Sequence, residues 1–226
     1  SNALLFAGYP RWRENKFRVS LAGRGIWPCR VCATIRRRRC AFVFIPATSR
    51  MKGFRPMTAP HSTAFSTCDF CDAHKADDSG AFRVLPPVFQ SYGGVAAFAG
   101  AVATVKCFED NTLVKAAVDS PGLGRVLVVD GGGSLRRALV GGNLAAAAAR
   151  NGWAGVVVDG CVRDVAELNA AAVGIRALGL MPLPTEKRNE GQRDVAVQIQ
   201  GVWVRPGDWL YADADGIVIS AGSLQA

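Results

Sequence analysis

The chain has 226 residues, half of them hydrophobic, and a formal net charge of +9. That length supports one substantial core, or one domain with an extension, and no apolar run reaches the ~20 residues of a bilayer-spanning helix, which argues against a membrane protein. The charge is concentrated at one end: residues 1–56 carry thirteen Lys or Arg against Glu14 alone, a net of +12, whereas residues 57–226 have a net of −3. Only residues 1–56 have the charge to follow a phosphate backbone, so no direct nucleic-acid contact is expected of the rest.

Ser1-Asn2-Ala3 reads as a remnant of tag removal. Arg36–Arg39 and the scattered arginines around them suit a transit peptide, a nucleic-acid-binding arm or a region upstream of a misplaced start. The expectation is a misassigned start or a disordered leader over 1–56, with Met57 opening a single domain over 57–226. Cys29-x-x-Cys32 and Cys68-x-x-Cys71 have the spacing of zinc knuckles. The first pair falls in the leader and the second on a predicted helix, so ordinary small residues are expected instead. Cys107 and Cys161 sit in apolar surroundings that favour inert packing. The pattern is not a secreted disulfide framework, and a reducing cytoplasm is the expected compartment. His61 and His74 are expected to face solvent.

Thr67–Ala76 reads as a short helix capped by Ser66 or Thr67. Pro86-Pro87 opens an extended segment that leads into strand-like Val95–Cys107. Asn111–Asp119 has helical spacing, with Leu113, Ala116 and Ala117 as its apolar face, and Pro121-Gly122 breaks it. Val126–Val129 suits a strand buried on both faces, ending at Asp130-Gly131-Gly132-Gly133. Those glycines match neither a Walker loop nor a dinucleotide fingerprint, and a tight turn with positive φ is expected for at least two of them. Ser134–Val140 reads as a short helix or helical turn. Asn143–Asn151 is helical on the strength of five consecutive alanines, Gly155–Asp159 is a buried strand, and a helix runs on to about Ala172. Alternating β and α elements argue for an α/β layer fold. Beyond Gly174 the chain turns β-rich: Asp194–Val204 alternates, Pro206-Gly207-Asp208 turns, and Asp215-Gly216 separates two strand-like runs.

The most informative stretch is Gly141–Glu167, GGNLAAAAARNGWAGVVVDGCVRDVAE. A glycine turn that opens a helix leaves free N–H groups and a positive dipole end, which suit a carboxylate or phosphate. A loop at the carboxyl end of a strand is a common ligand site in α/β proteins. Arg163 there can grip an anion in a planar fork, and Asp164 and Glu167 offer hard oxygens to a divalent ion. The same residues fit a helix capping box, with Asp164 as N-cap and Glu167 at the third helical position. Spacing does not separate the two.

Longer stretches add to this. Thr67-Cys68-Asp69-Phe70-Cys71-Asp72, VKCFEDN (105–111), GRVLVVDGGGSLRRALVGGNLA (124–145), GVVVDGCVRDVAEL (155–168) and GDWLYADADGIVIS (207–220) together resemble the family of regulator of ribonuclease activity A and 4-hydroxy-4-methyl-2-oxoglutarate aldolase. The resemblance runs from about Phe65 to Leu224. Aldolase-competent members carry Gly, twenty residues, Arg-Asp, two residues, then Glu or Asp. Gly142, residues 143–162, Arg163-Asp164, Val165-Ala166 and Glu167 reproduce that pattern in full.

The resemblance implies an α/β/β sandwich like that of swivelling phosphohistidine domains, assembled as a homotrimer with sites between subunits. It implies a metal-dependent aldolase that cleaves a 2-keto diacid, 4-hydroxy-4-methyl-2-oxoglutarate, to two pyruvates. Oxaloacetate decarboxylation would be secondary, through the same pyruvate enolate. Asp164 would ligate Mg²⁺ or Mn²⁺, with Glu167 acting through a water, and Arg163 would hold the substrate and offset enolate charge. The N–H groups around Gly141, Gly142, Asn143 and Leu144 would take the carboxylate. The sequence singles out no general base, though Asp213 and Asp215 are acids better suited to turns. A Schiff-base mechanism would need a desolvated lysine, and Lys106, Lys115 and Lys187 have no pocket context in the sequence. The competing expectation is a non-catalytic inhibitor of ribonuclease E. A methyltransferase is not expected, because no adenosylmethionine site is visible.

Overall fold

The structure, a computed structural model, describes residues 65–224. The basic leader, Cys29-x-x-Cys32, Met57 and His61 lie outside the described residues. In chain order the elements are α1 (Thr67–His74), β1 (Phe82–Val84), β2 (Gln90–Ser91), β3 (Phe98–Lys106), α2 (Thr112–Val118), β4 (Val126–Val140), α3 (Gly142–Arg150) and β5 (Gly155–Val162). There follow α4 (Val165–Ala170), β6 (Gly174–Leu180), β7 (Gln192–Arg193), β8 (Val197–Ile199), β9 (Val202–Val204), β10 (Trp209–Ala212) and β11 (Ile217–Ser220).

The main sheet has the order β1-β11-β10-β3-β4-β5-β6-β2, with β7 also paired to β3. Its centre, β3 to β6, is parallel, and α2, α3 and α4 supply the crossovers between successive strands. β3 changes partners along its length: Phe98–Ala101 pair antiparallel with β10, and Val102–Lys106 pair parallel with β4. The parallel strands are buried on both faces because each face has its own cover. On one, Val105, Leu127, Val129, Val158 and Ile175 meet Val114 of α2, Ala145 and Ala148 of α3 and Leu168 of α4. On the other, Val102, Val126, Val128 and Val157 meet Val197, Ile199 and Val204 of the β8–β9 hairpin and Leu210 and Ile219 of β10 and β11. Helices, central sheet and a second β layer make a three-layer α/β fold.

Ser134–Val140 differs from expectation: it is the end of β4 rather than a helical turn. Gly132 and Gly133 have φ of 65° and 66° and form the expected turn. The strand then resumes against β5, where Ser134, Ala138 and Val140 pair with Gly160, Cys161 and Val162 through successive register shifts. The helical bias of Leu135–Leu139 is overridden because an extended backbone finds partners on β5 and also at Leu183, whose carbonyl accepts the Ala138 N–H at 2.9 Å. Asp194–Val204 likewise breaks into a hairpin, its turn residues Gln200 and Gly201 both at positive φ (47° and 83°).

Ser66 caps α1, and Asp213 takes the Thr67 N–H and hydroxyl, each at 2.7 Å, so Asp213 is a turn and anchoring residue as expected. Cys68 and Cys71 are free cysteines on α1, and Cys107 and Cys161 are buried. His74 departs from expectation. It stacks on Phe82 at 4.8 Å between centroids and its Nδ1 lies 2.9 Å from the Phe70 carbonyl, because the last turn of α1 lies over β1.

Candidate active site

Asp130 and Asp159 lie in register on β4 and β5. Beyond them β5 runs on to Val162, so its carboxyl end delivers Arg163 and Asp164 beside the start of α3. Asp164 precedes α4 but is not a conventional N-cap. Its backbone is left-handed (φ 64°, ψ 51°) and its side chain makes no capping bond. The carboxylate instead turns to α3, where Oδ2 accepts the Gly142 N–H at 3.2 Å. Of the two readings the spacing left open, the capping box is not formed, because Asp164 makes no side-chain cap. Left-handed backbone is uncommon for a non-glycine residue, with Asp among the better-tolerated exceptions. Arg163 Nε lies 3.5 Å from Asp164 Oδ2, both side chains being partly exposed.

Gly141 and Gly142 give these side chains room. A Cβ on Gly141 would lie 2.7 Å from Asp164 Oδ2 and 3.2 Å from Arg163 Nε, and one on Gly142 would lie 1.7 Å from Glu167 Oε2 and 2.6 Å from Glu167 Cβ. Glu167 thus lies flat against the first turn of α3. The spacing from glycine to Arg-Asp and on to Glu acquires a steric meaning: the glycine end of α3 is the floor on which the acids rest.

The three N–H groups at this floor are not equivalent. Gly142 donates to Asp164 and Leu144 to the Gly141 carbonyl at 3.0 Å, while Asn143 N–H has no acceptor among the described residues. A ligand carboxylate arriving here meets the Asn143 N–H and the Arg163 guanidinium. Gly141, Asn143, Leu144, Arg163 and Asp164 line a cavity of about 220 Å³. That is below the roughly 300–1,000 Å³ of sites for drug-sized ligands and suits a small acid. Gly142 and Glu167 stand behind this wall rather than on it.

The remaining wall was not foreseen. Asn111 reaches it from the N-cap of α2 and Lys115 from the fourth residue of that helix, Ala138 from β4, and Pro184, Thr185 and Lys187 from the segment after β6. Lys115 and Lys187 therefore do have a pocket context. The segment 181–191 is aperiodic, and nothing in its sequence signals where it folds. Lys115 is an ion-paired, half-exposed side chain, bonded to Asp119 one turn along α2. It is not the desolvated amine that Schiff-base chemistry needs. Lys106 faces a different hollow, with Phe108 and Asp130.

The donor set fits a hard, water-rich cation. Two carboxylates, Asp164 and Glu167, converge on the first turn of α3, and the described residues contain no group of three or more His, Cys, Asp or Glu that would enclose a metal. Mg²⁺ keeps several waters and takes only one or two protein carboxylates.

The RraA-like family model, described as Aldolase/RraA, matches residues 67–219. A protein of Albidiferax ferrireducens, provisionally named 4-hydroxy-4-methyl-2-oxoglutarate aldolase, is 73% identical over 169 residues, which span 71% of this chain and 98% of that one. Among solved structures, the RNA-processing inhibitor RraA from Thermus thermophilis superposes with a TM-score of 0.68 at 45% identity, covering 72% of this chain and 96% of the other. A Geobacillus kaustophilus structure, described as an S-adenosylmethionine:2-dimethylmenaquinone methyltransferase, gives 0.67 at 44%, over 71% and 97%.

Proposed function

The chain belongs to the RraA-like family, and on that premise we propose that it is a divalent-metal-dependent aldolase cleaving 4-hydroxy-4-methyl-2-oxoglutarate to two pyruvates. The observation that carries this reading is the left-handed turn at Asp164. It points the carboxylate at the α3 start, with Arg163 beside it on the cavity wall.

Asp164 would hold Mg²⁺ or Mn²⁺, with Glu167 contributing through a water, and the ion would supply Lewis-acid polarisation of the keto group. The chain's own groups do the rest. The Asn143 N–H and Arg163 bind the carboxylate next to the keto group and fix its orientation. Arg163 offsets the negative charge that develops on the keto oxygen as the carbon–carbon bond breaks. The Gly142 N–H holds Asp164 in place. Oxaloacetate decarboxylation leaves the same three-carbon enolate, so the same residues would serve it as a secondary activity.

The test is pyruvate release from both substrates with Mg²⁺ or with EDTA. Turnover should require the metal and vanish in Asp164→Ala, and Arg163→Ala should lower kcat by ~10²–10³-fold. The likeness to an RNA-processing inhibitor favours a second reading, a non-catalytic inhibitor of ribonuclease E. Metal-loaded, folded protein that turns over neither substrate would decide for that one. The assembly we propose is a homotrimer with sites between subunits. The exposed Phe108, Leu135, Leu180 and Leu183 are apolar surface suited to such burial.

A further inference from the structure

Side chains alternate along β9. Val204 is buried in the second β layer, so its neighbour Trp203 turns outward and stays half-exposed. β1, at the edge of the main sheet, comes up against it, and Arg83 Nη1 donates to the Trp203 carbonyl at 2.7 Å. Ser79, Gly80, Arg83, Val202, Trp203 and Arg205 are among the residues around a cavity of about 540 Å³. It shares no lining residue with the Arg163–Asp164 cavity. Its size falls within the roughly 300–1,000 Å³ of small-molecule sites.

The polar groups here are donors in excess. Arg83 Nη2 lies 3.0 Å from Asp208 Oδ2, but Arg83 Nε is buried with no hydrogen-bond partner among the described residues. The same Asp208 oxygen also accepts the Arg205 N–H at 2.9 Å. The Arg205 side chain is exposed and has no ion-pair or hydrogen-bond partner among the described residues. Asp77 is turned into its own loop, where it accepts from the Ser79 N–H and hydroxyl and the Phe82 N–H. Gly80 N–H has no acceptor among the described residues, and nothing lies within 4 Å of a Cβ added at that glycine. No carboxylate is among the residues that line the cavity. A buried N–H without a partner is costly unless something binds there.

We propose that this cavity binds a nucleoside monophosphate, with the phosphate at Arg205, Arg83 Nε and the Gly80 N–H and the base stacked on Trp203. Guanidinium groups match phosphate oxygens in a planar fork, and an exposed indole face is a platform for a base. An extended RNA strand fits less well. Arg83 and Arg205 are the only cations lining the cavity, Arg83 is shared with Asp208, and residues 57–226 carry a net charge of −3, so flanking phosphates would meet no partners. The proposal goes beyond the aldolase reading and does not depend on it, because binding is measured without turnover.

The experiment is calorimetric titration of the full chain with AMP, adenosine, ribose 5-phosphate, inorganic phosphate and a 5′-hydroxyl hexa-adenylate. AMP should bind at least about tenfold more tightly than adenosine, ribose 5-phosphate or phosphate, because only AMP engages both the arginines and the indole. Arg205→Met and Trp203→Ala, both at exposed side chains, should each weaken AMP about tenfold or more while leaving Tm unchanged. Trp203→Phe, which keeps a ring to stack on, should restore part of the affinity. AMP that fails to bind, or that binds both variants as well as the wild-type chain, would overturn the site. Phosphate that binds as tightly as AMP would leave an anion site with no role for Trp203, and a hexa-adenylate that binds more tightly than AMP would make the occupant a strand; either result overturns the mononucleotide proposal.

Discussion

Gly142 shows how one residue can join sequence to chemistry. Its place ahead of Arg-Asp was visible as spacing, but the reason lies in the 1.7 Å that would separate an added Cβ from Glu167 Oε2. Two effects oppose each other in Gly142→Ala. Helix propensity favours alanine by up to ~1 kcal/mol, whereas overpacking costs ~1–3 kcal/mol. Glu167 Cβ is itself within 2.6 Å, so the strain is not relieved by swinging the carboxylate away, and overpacking should win. The expected outcome is a lower Tm together with at least a tenfold weaker metal dependence of turnover, read by melting and by Mg²⁺ titration. Adding Glu167→Ala should recover the Tm without recovering activity. A double variant no more stable than Gly142→Ala would mean that Glu167 does not rest on this glycine.

At the scale of elements, the segment after β6 depends on a single charged group, Asp110, which accepts the N–H groups of Arg188 and Glu190 at 2.7 and 3.1 Å and the N–H and hydroxyl of Thr112 at the start of α2. Asp110 is buried, which alone would raise its pKa, but the Thr112 hydroxyl and N–H and the N–H groups of Glu190 and Arg188 prevail and hold it at about 2. A carboxylate held below its unfolded value contributes stability that is present above the unfolded pKa and lost as pH falls. Here the window runs from ~4 down to about 2. Asp110→Ala should lower unfolding stability by roughly 1–3 kcal/mol at pH 7. The gap to the wild-type chain should close across that acid window, as urea unfolding at several pH values will show. A gap independent of pH would leave only packing as the cause.

Elsewhere among the elements, Asp159 is pushed upward, first by burial and then by the Asp130 carboxylate in register with it, against a hydrogen bond from Gln200 at 2.7 Å. That pairing comes from strand register. No local reading of VVDGGG or VVDG would find it, nor would it place Gln200, a hairpin-turn residue, against Asp159.

For the whole molecule, none of the helices among the described residues is long and apolar enough to cross a membrane. The proposed homotrimer predicts sedimentation at three times 23.9 kDa. Charging the exposed apolar surface with Leu135→Glu and Leu183→Glu should shift the mass toward the single chain. Unchanged sedimentation would remove those residues from the interface, and a wild-type chain that sediments as a monomer would end the trimer proposal.

Local chemistry explains why so much could be read in advance. Fully apolar runs such as Val126–Val129 and Gly155–Val158 have one low-energy environment, a strand covered on both faces, and an alanine run such as Ala145–Ala149 favours helix whatever surrounds it. The α/β fold and the glycine turn that opens α3 were determined at that level. Other features rest on contacts between distant segments, whose energies no local pattern contains. Ser134–Val140 stays extended because β5 and Leu183 complete its hydrogen bonds. Asp164 leaves its capping role as its carboxylate turns to the Gly142 N–H at the start of α3. Lys187 reaches the cavity because Asp110, 77 residues earlier, holds the segment after β6 that carries it.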